Sequence, residues 1–69
     1  APAPQLALSV AKATATDFGQ RFYHWTAVTA RCSRLTSLRV GCRIYGRRHG
    51  RWWMARRELA LSLGGIVIS

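Results

Sequence analysis

The residues best suited to binding chemistry lie in the stretch 32–57, where arginine and aromatic side chains are interleaved. This stretch holds eight of the ten arginines, two of the three tryptophans and no acidic residue. Arginine makes bidentate hydrogen bonds to phosphate and carboxylate, and aromatic rings stack on bases or lie at a lipid interface. We therefore predict a binding surface built from Arg39, Arg43, Tyr45, Arg47, Arg48, Arg51, Trp52, Trp53, Arg56 and Arg57.

The same residues suit several partners. Phosphate polymers, anionic lipid head groups and acidic protein surfaces all attract arginine next to tryptophan. We expect an anionic polymer or an acidic protein surface, with nucleic acid or a peripheral membrane contact as particular cases. The alternative is a solvated basic surface whose tryptophans pack in the core. The net charge of +9 fits all of these partners and does not discriminate between them.

Reaction chemistry has little support. The only carboxylates are Asp17 and Glu58, so catalysis by a carboxylate pair would need both. The chain has no glycine-rich phosphate loop and no nucleophile elbow. We predict a non-enzymatic cationic binding module with no catalytic residue and no cofactor. A small structural subunit or fragment of a larger complex is the alternative.

A second alternative is a small basic ribonuclease. His49 would act as the base, arginine as the phosphate clamp and tyrosine as a second proton donor. Arg47, Arg48 and Tyr45 are close enough in sequence to complete that set. No metal site is predicted, because Cys32, Cys42, His24 and His49 lack the paired short spacing of zinc ligands.

The two cysteines have the spacing of a cross-strand disulfide. If Leu35-Thr36-Ser37 forms a turn, Cys32 and Cys42 face each other with α-carbons about 4.5 to 5.5 Å apart. A 69-residue chain gains much from such a link, because its core is small. We predict secretion or another oxidising compartment. The alternatives are two free buried thiols in the cytosol and an organellar protein, since the arginine-rich, acid-poor composition resembles a transit peptide.

The first part of the chain is predicted to be an extended leader followed by a helix. Pro2 and Pro4 disfavour helix over residues 1–4, and residues 5–69 form a single small domain. Apolar residues at spacings of three and four predict a helical stripe, with a break near Thr16-Asp17. That stripe consists of Leu8, Ala11, Ala15, Phe18, Phe22 and Trp25.

After Trp25 the pattern changes to alternation, which is typical of half-buried strands. Pairing Cys32 with Cys42 places Ala30 opposite Ile44 and Arg34 opposite Val40. Residues 46–50 form a turn, a third strand covers 51–63, and Gly64-Gly65 is a hairpin turn. Ile66 and Ile68 would then pair with Leu63 and Leu61.

These elements predict an α+β fold, with an N-terminal helical region packed on a four-stranded antiparallel meander. An all-α fold is the alternative, because residues 52–63 also fit a helix. The face away from the helix would carry Arg31, Arg39 and Arg43, with Arg56 and one of the two indoles, Trp52 or Trp53, nearby. Trp52 and Trp53 would point to opposite faces.

Parity along the third strand makes Trp53 the inner indole, packed against Phe18, Phe22 and Trp25. The same parity turns Arg57 inward, so a bulge near Arg56-Arg57 is expected to re-aim these side chains. Such a bulge would make Trp52 the inner indole instead of Trp53. No apolar run reaches the roughly 18 residues of a membrane span, and we predict none.

Overall fold

A computed structural model describes residues 4–69 as one helix packed on one side of a four-stranded antiparallel sheet. The elements are α1 (Leu8–Arg21), β1 (Thr26–Arg34), β2 (Arg39–Arg48), β3 (Arg51–Ser62) and β4 (Gly65–Ile68). The strand order β1-β2-β3-β4 is a meander. The predicted α+β fold is confirmed, and the all-α alternative is wrong. Residues 1–3, which make up most of the predicted leader, lie outside the described part.

Small residues form the inner surface of α1. Ala11, Ala15 and Gly19 are buried against the sheet. A Cβ at Gly19 would lie 2.9 Å from methyl groups of Val28 and Ile44, so glycine permits the close approach. The predicted stripe is therefore only partly right, because Leu8 and Phe22 are exposed and Trp25 lies beyond the end of the helix.

The helix runs through Thr16 and Asp17 without the predicted break. The Thr16 hydroxyl donates to the carbonyl of Lys12 at 2.8 Å, and Arg21 Nε donates to the Asp17 carboxylate at 2.8 Å. These contacts one helical turn apart satisfy the two polar side chains within the helix, so neither competes with its backbone ladder.

The pairing of β1 with β2 follows the predicted register. Cys32 pairs with Cys42, Ala30 with Ile44 and Arg34 with Val40. The two cysteines form a disulfide whose α-carbons are 4.1 Å apart, slightly closer than expected. Near its start, β1 has a bulge between Thr26 and Thr29.

The β2–β3 hairpin is tighter and more regular than predicted. Its turn consists of His49 and Gly50, whose φ angles of 55° and 74° suit a two-residue hairpin turn. Pairing then continues from Arg48↔Arg51 to Arg39↔Ala60 without interruption. The five-residue turn over 46–50 and the bulge near Arg56-Arg57 are both wrong.

The β3–β4 turn lies one residue earlier than predicted. Ser62 pairs with Gly65, so the turn residues are Leu63 and Gly64. Consequently Ile66 pairs with Leu61 and Ile68 with Leu59, two residues away from the predicted partners. This register packs both isoleucines against the hydrophobic core, whereas Leu63 is fully exposed.

The core lies between α1 and the sheet. Its most deeply buried large side chains are Leu6, Val40, Ile44 and Leu59. Leu6 precedes the helix, and its backbone N–H donates to the carbonyl of Ser37 at 2.9 Å. Arg34 donates to the carbonyl of Leu6 from the neighbouring strand. The segment before α1 is thereby held against the β1–β2 connection.

Candidate anion-binding surface

The side of the sheet away from α1 is called here the open face. Successive strand residues point to opposite sides, and the buried positions of β2, such as Val40, Cys42 and Ile44, face the helix. The intervening positions form the open face. In β1 to β3 it comprises Thr26, Thr29, Arg31, Ser33, Arg39, Gly41, Arg43, Tyr45, Arg47, Trp52, Met54, Arg56, Glu58, Ala60 and Ser62.

Three arginines lie side by side across the open face. Arg31 pairs with Arg43, and Arg43 pairs with Arg56. Neighbouring strands are about 4.8 Å apart, so the three residues lie within about 10 Å. All three are exposed. We call Arg31, Arg43 and Arg56 the arginine row. Like charges directly opposite each other destabilise a sheet, and an anion lying across the row would relieve that repulsion.

Both carboxylates of the chain are committed to other arginines. Asp17 lies 2.8 Å from Arg21 on the helix, and Glu58 lies 3.6 Å from Arg39 on the open face. Between residues 4 and 69, no salt bridge reaches the arginine row. The three row arginines therefore present positive charge to solvent without a salt bridge of their own.

Aromatic side chains adjoin the arginine row on the side of the β2–β3 turn. Tyr45 is the next open-face residue after Arg43 on β2, and Trp52 lies opposite Arg47. Trp52 is 62% exposed. The guanidinium carbon of Arg47 lies 5.3 Å from the centroid of the Trp52 ring, within cation–π range.

A shallow concavity adjoins the row on its other side. Gly41 has no side chain there, and it pairs with Ser33 on one side and Glu58 on the other. The lining includes the three row arginines, Ser33, Glu58 and Ser69. An anion on the row can therefore meet the Ser33 hydroxyl as well as guanidinium groups, on the side of the concavity away from the Glu58 carboxylate.

Four of the predicted binding residues lie on the helix side of the sheet instead. They are Arg48, Arg51, Trp53 and Arg57, as the pairing with β2 shows. The Nε of Arg57 donates to the Tyr23 hydroxyl at 2.8 Å. Its guanidinium carbon lies 5.6 Å and 5.7 Å from the ring centroids of Phe18 and Tyr23. The Arg57 side chain therefore points toward the helix without a bulge in β3, and its contacts are with Tyr23 and Phe18 of the same chain.

Neither indole of the Trp52-Trp53 pair is buried, which corrects the predicted packing of one against the helix stripe. Trp53 has the predicted parity, but it is 48% exposed and its Nε1 donates to the carbonyl of Arg48 at 3.3 Å. Trp25 fills the space instead. It covers Gly46 and stacks on Tyr23 with ring centroids 4.4 Å apart.

The predicted ribonuclease set is divided by the sheet. Tyr45 and Arg47 lie on the open face, and His49 lies in the turn. Arg48 donates to the carbonyl of Tyr23 at 3.1 Å, on the helix side. Among residues 4–69, no three His, Cys, Asp or Glu side chains come together as metal ligands would. No helix in the same range is long and apolar enough to cross a membrane.

The chain has no significant match to a protein-family model, to a curated protein or to a solved structure. Function is therefore inferred from the open face itself.

Arg31 is a member of the arginine row that the predicted binding list omits. Its position could have been found from the sequence, because pairing Cys32 with Cys42 places Arg31 opposite Arg43. The third member, Arg56, joins the row through the β2–β3 register. The pairing between strands therefore identifies the residues of the arginine row better than closeness in sequence does.

Proposed function

We propose that the chain is a non-enzymatic cationic module that binds an anionic polymer across its open face. The observation that carries the proposal is the arginine row, three exposed arginines abreast with no acidic partner among the described residues. A chain of phosphates or carboxylates can contact several members at once. A net charge of +9 draws such a polymer toward the protein over longer distances.

The test is the salt dependence of binding to inorganic polyphosphate, which offers charge without bases or lipid. We expect log affinity to fall with log salt by roughly 0.7 to 0.9 for each phosphate contacted. Arg43→Gln removes the centre of the row and should lower that slope by roughly one contact.

The matched control is Arg51→Gln, which removes the same charge from the helix side of the hairpin. It should leave the slope nearly unchanged. Equal slopes for the two variants, or an affinity independent of salt, would contradict binding through the row.

We also propose that the protein functions in an oxidising compartment, secreted or otherwise. The Cys32–Cys42 disulfide is compatible with that environment. Alkylation before and after reduction, followed by mass spectrometry, should find both thiols blocked in protein isolated without reductant. Two alkylated thiols in unreduced material would remove this part of the proposal.

A structural subunit is the second candidate, and exposed leucines favour it. Leu35 and Leu38 in the β1–β2 connection are 56% and 40% exposed, and Leu63 in the β3–β4 turn is fully exposed. These two connections lie at the same end of the sheet. A subunit should self-associate or aggregate when isolated, whereas a binding module should elute as a monomer from a sizing column.

A further inference from the structure

The two aromatic residues of the open face are neighbours on the central strands. Tyr45 pairs with Met54 on β3, and Trp52 pairs with Arg47 on β2, so Tyr45 and Trp52 are related diagonally. Such diagonal neighbours are about 7 to 8 Å apart. An extended nucleotide chain can place two unpaired bases on rings at that separation.

The surroundings of these rings suit bases better than lipid. Arg47 lies over the Trp52 ring, and the arginine row begins one open-face position beyond Tyr45. Trp53, the other exposed indole of the hairpin, points to the helix side, so Trp52 and Trp53 do not form one apolar patch. Along β2, guanidinium groups and a ring alternate in Arg43, Tyr45 and Arg47, as phosphate and base alternate in a nucleic acid, and Met54 lies opposite Tyr45 on β3.

The shape of the surface favours a single strand over a duplex. Bases in a duplex are stacked on each other, and their edges are reached by a helix or a narrow β-ribbon in the groove. The arginine row crosses three strands of a sheet, which is wider than such a ribbon. Aromatic rings on the central strands of a sheet are instead placed to stack on unpaired bases.

We infer that the anionic polymer is a single-stranded nucleic acid, with bases stacked on Tyr45 and Trp52 and phosphates on the arginine row. This inference rests on the proposed function and adds the class of polymer. It assigns Tyr45 and Trp52 to the bases, and Arg31, Arg43 and Arg56 to the backbone.

The first test compares polymers bound to the unmodified protein by fluorescence anisotropy at fixed salt. The probes are labelled oligothymidylate, a duplex of the same length and polyphosphate, and phosphatidylserine vesicles serve as an unlabelled competitor. We expect oligothymidylate to bind at least tenfold more tightly than the duplex and to resist competition by the vesicles. Equal or tighter binding of the duplex, or displacement by the vesicles at equal charge, would overturn the inference.

The second test compares two neighbouring indoles of similar exposure on opposite sides of the sheet. Trp52→Ala should weaken oligothymidylate binding roughly 5- to 150-fold, the range for one lost base stack. Trp53→Ala should change it less than twofold. Thermal melts establish that both variants fold. Equal losses in the two variants would overturn the assignment of Trp52 to a base.

The outcomes separate this inference from the proposed function. Polyphosphate binding that depends on Arg43, together with no preference for oligothymidylate, refutes the single-stranded assignment and leaves the proposed function intact. No binding to any anionic probe at low salt refutes both.

Discussion

Arg56 and Arg57 show how adjacent residues of one type acquire different roles. Arg56 is exposed in the arginine row, whereas Arg57 is half-buried against Phe18 and Tyr23. The alternation of side chains along β3 accounts for the difference. Only Arg56 is available to an anion on the open face.

Replacing Arg57 with alanine should destabilise the fold. The variant loses the hydrogen bond to the Tyr23 hydroxyl and the contacts with two rings. We expect the free energy of unfolding to fall by about 1 to 2 kcal/mol, measured by urea denaturation.

Arg56→Ala is the matched control for that variant. Its free energy of unfolding should change by less than about 0.5 kcal/mol, while its affinity for polyphosphate falls. If Arg56→Ala were the less stable of the two, or Arg57→Ala the weaker binder, the division of roles would be wrong.

Gly46 is the position where the sheet has no room for a side chain. A Cβ there would lie 2.6 Å from Trp25 Cβ and 2.9 Å from its ring. Gly46→Ala should lower the free energy of unfolding by about 1 to 3 kcal/mol, because Trp25 is buried and cannot yield freely.

Gly64→Ala is the control for the Gly46 prediction, because nothing lies within 4 Å of the added Cβ. Its melting temperature should match that of the unmodified chain. A Gly46→Ala variant that melts at the same temperature would show that Trp25 does not cover this position.

At the scale of elements, the disulfide fixes β1 against β2. It closes a short loop, with a sequence separation of 10. Replacing both cysteines with alanine should lower the free energy of unfolding by roughly 2 to 3 kcal/mol, chiefly by freeing the unfolded chain.

The reduced, unmodified chain should resemble the double alanine variant in urea denaturation. If both have the same free energy of unfolding, and both are less stable than the oxidised chain, the lost stability is due to the cross-link. A double variant as stable as the oxidised chain would contradict the prediction.

The hairpins also show why exact turn positions are hard to predict from composition. Glycine marked both regions, but the turns are His49-Gly50 and Leu63-Gly64. Ladder hydrogen bonds extend β2 and β3 until the chain must reverse, so the first turn contains two residues instead of five, and the second keeps two residues but lies one position earlier. His49 adopts a left-handed φ of 55° as a result.

At the scale of the whole molecule, repulsion between positive charges destabilises the fold, which is elongated. The principal extents are 48, 21 and 16 Å, with nine more basic than acidic residues. Screening lengths fall from about 30 Å at 0.01 M salt to about 10 Å at 0.1 M. Added salt therefore weakens repulsion across the sheet.

We expect the melting temperature to rise by several degrees between 10 and 200 mM sodium chloride, monitored by circular dichroism. The double variant Arg31→Gln/Arg56→Gln should show a smaller rise, because it relieves repulsion within the row. Lys12→Gln/Arg51→Gln removes equal charge from separated positions. Equal salt responses in the two variants would assign the effect to net charge alone.

Several features of this protein follow from its sequence alone. Alternation from Val28 onward and the Cys32–Cys42 spacing predicted the strands, the first register and the disulfide. With that register, parity also placed Arg31, Arg39 and Arg43 on one face, since side chains on a strand alternate. The helix was recognised from its apolar periodicity, although its inner surface consists of smaller residues than the stripe suggested.

Tertiary structure decided what covers each side chain. The alternation of side chains along a strand predicts on which face of the sheet each one lies. Whether that side chain is buried depends on how far the helix and the α1–β1 connection extend across that face. Trp25 takes the space over Gly46, which leaves Trp53 half-exposed, and Tyr23 and Phe18 give Arg57 a partner inside. The arginine row likewise exists only because pairing is uninterrupted from Thr29 to Arg34 in β1 and along the whole of β2 and β3, and local patterns could not fix the β2–β3 register.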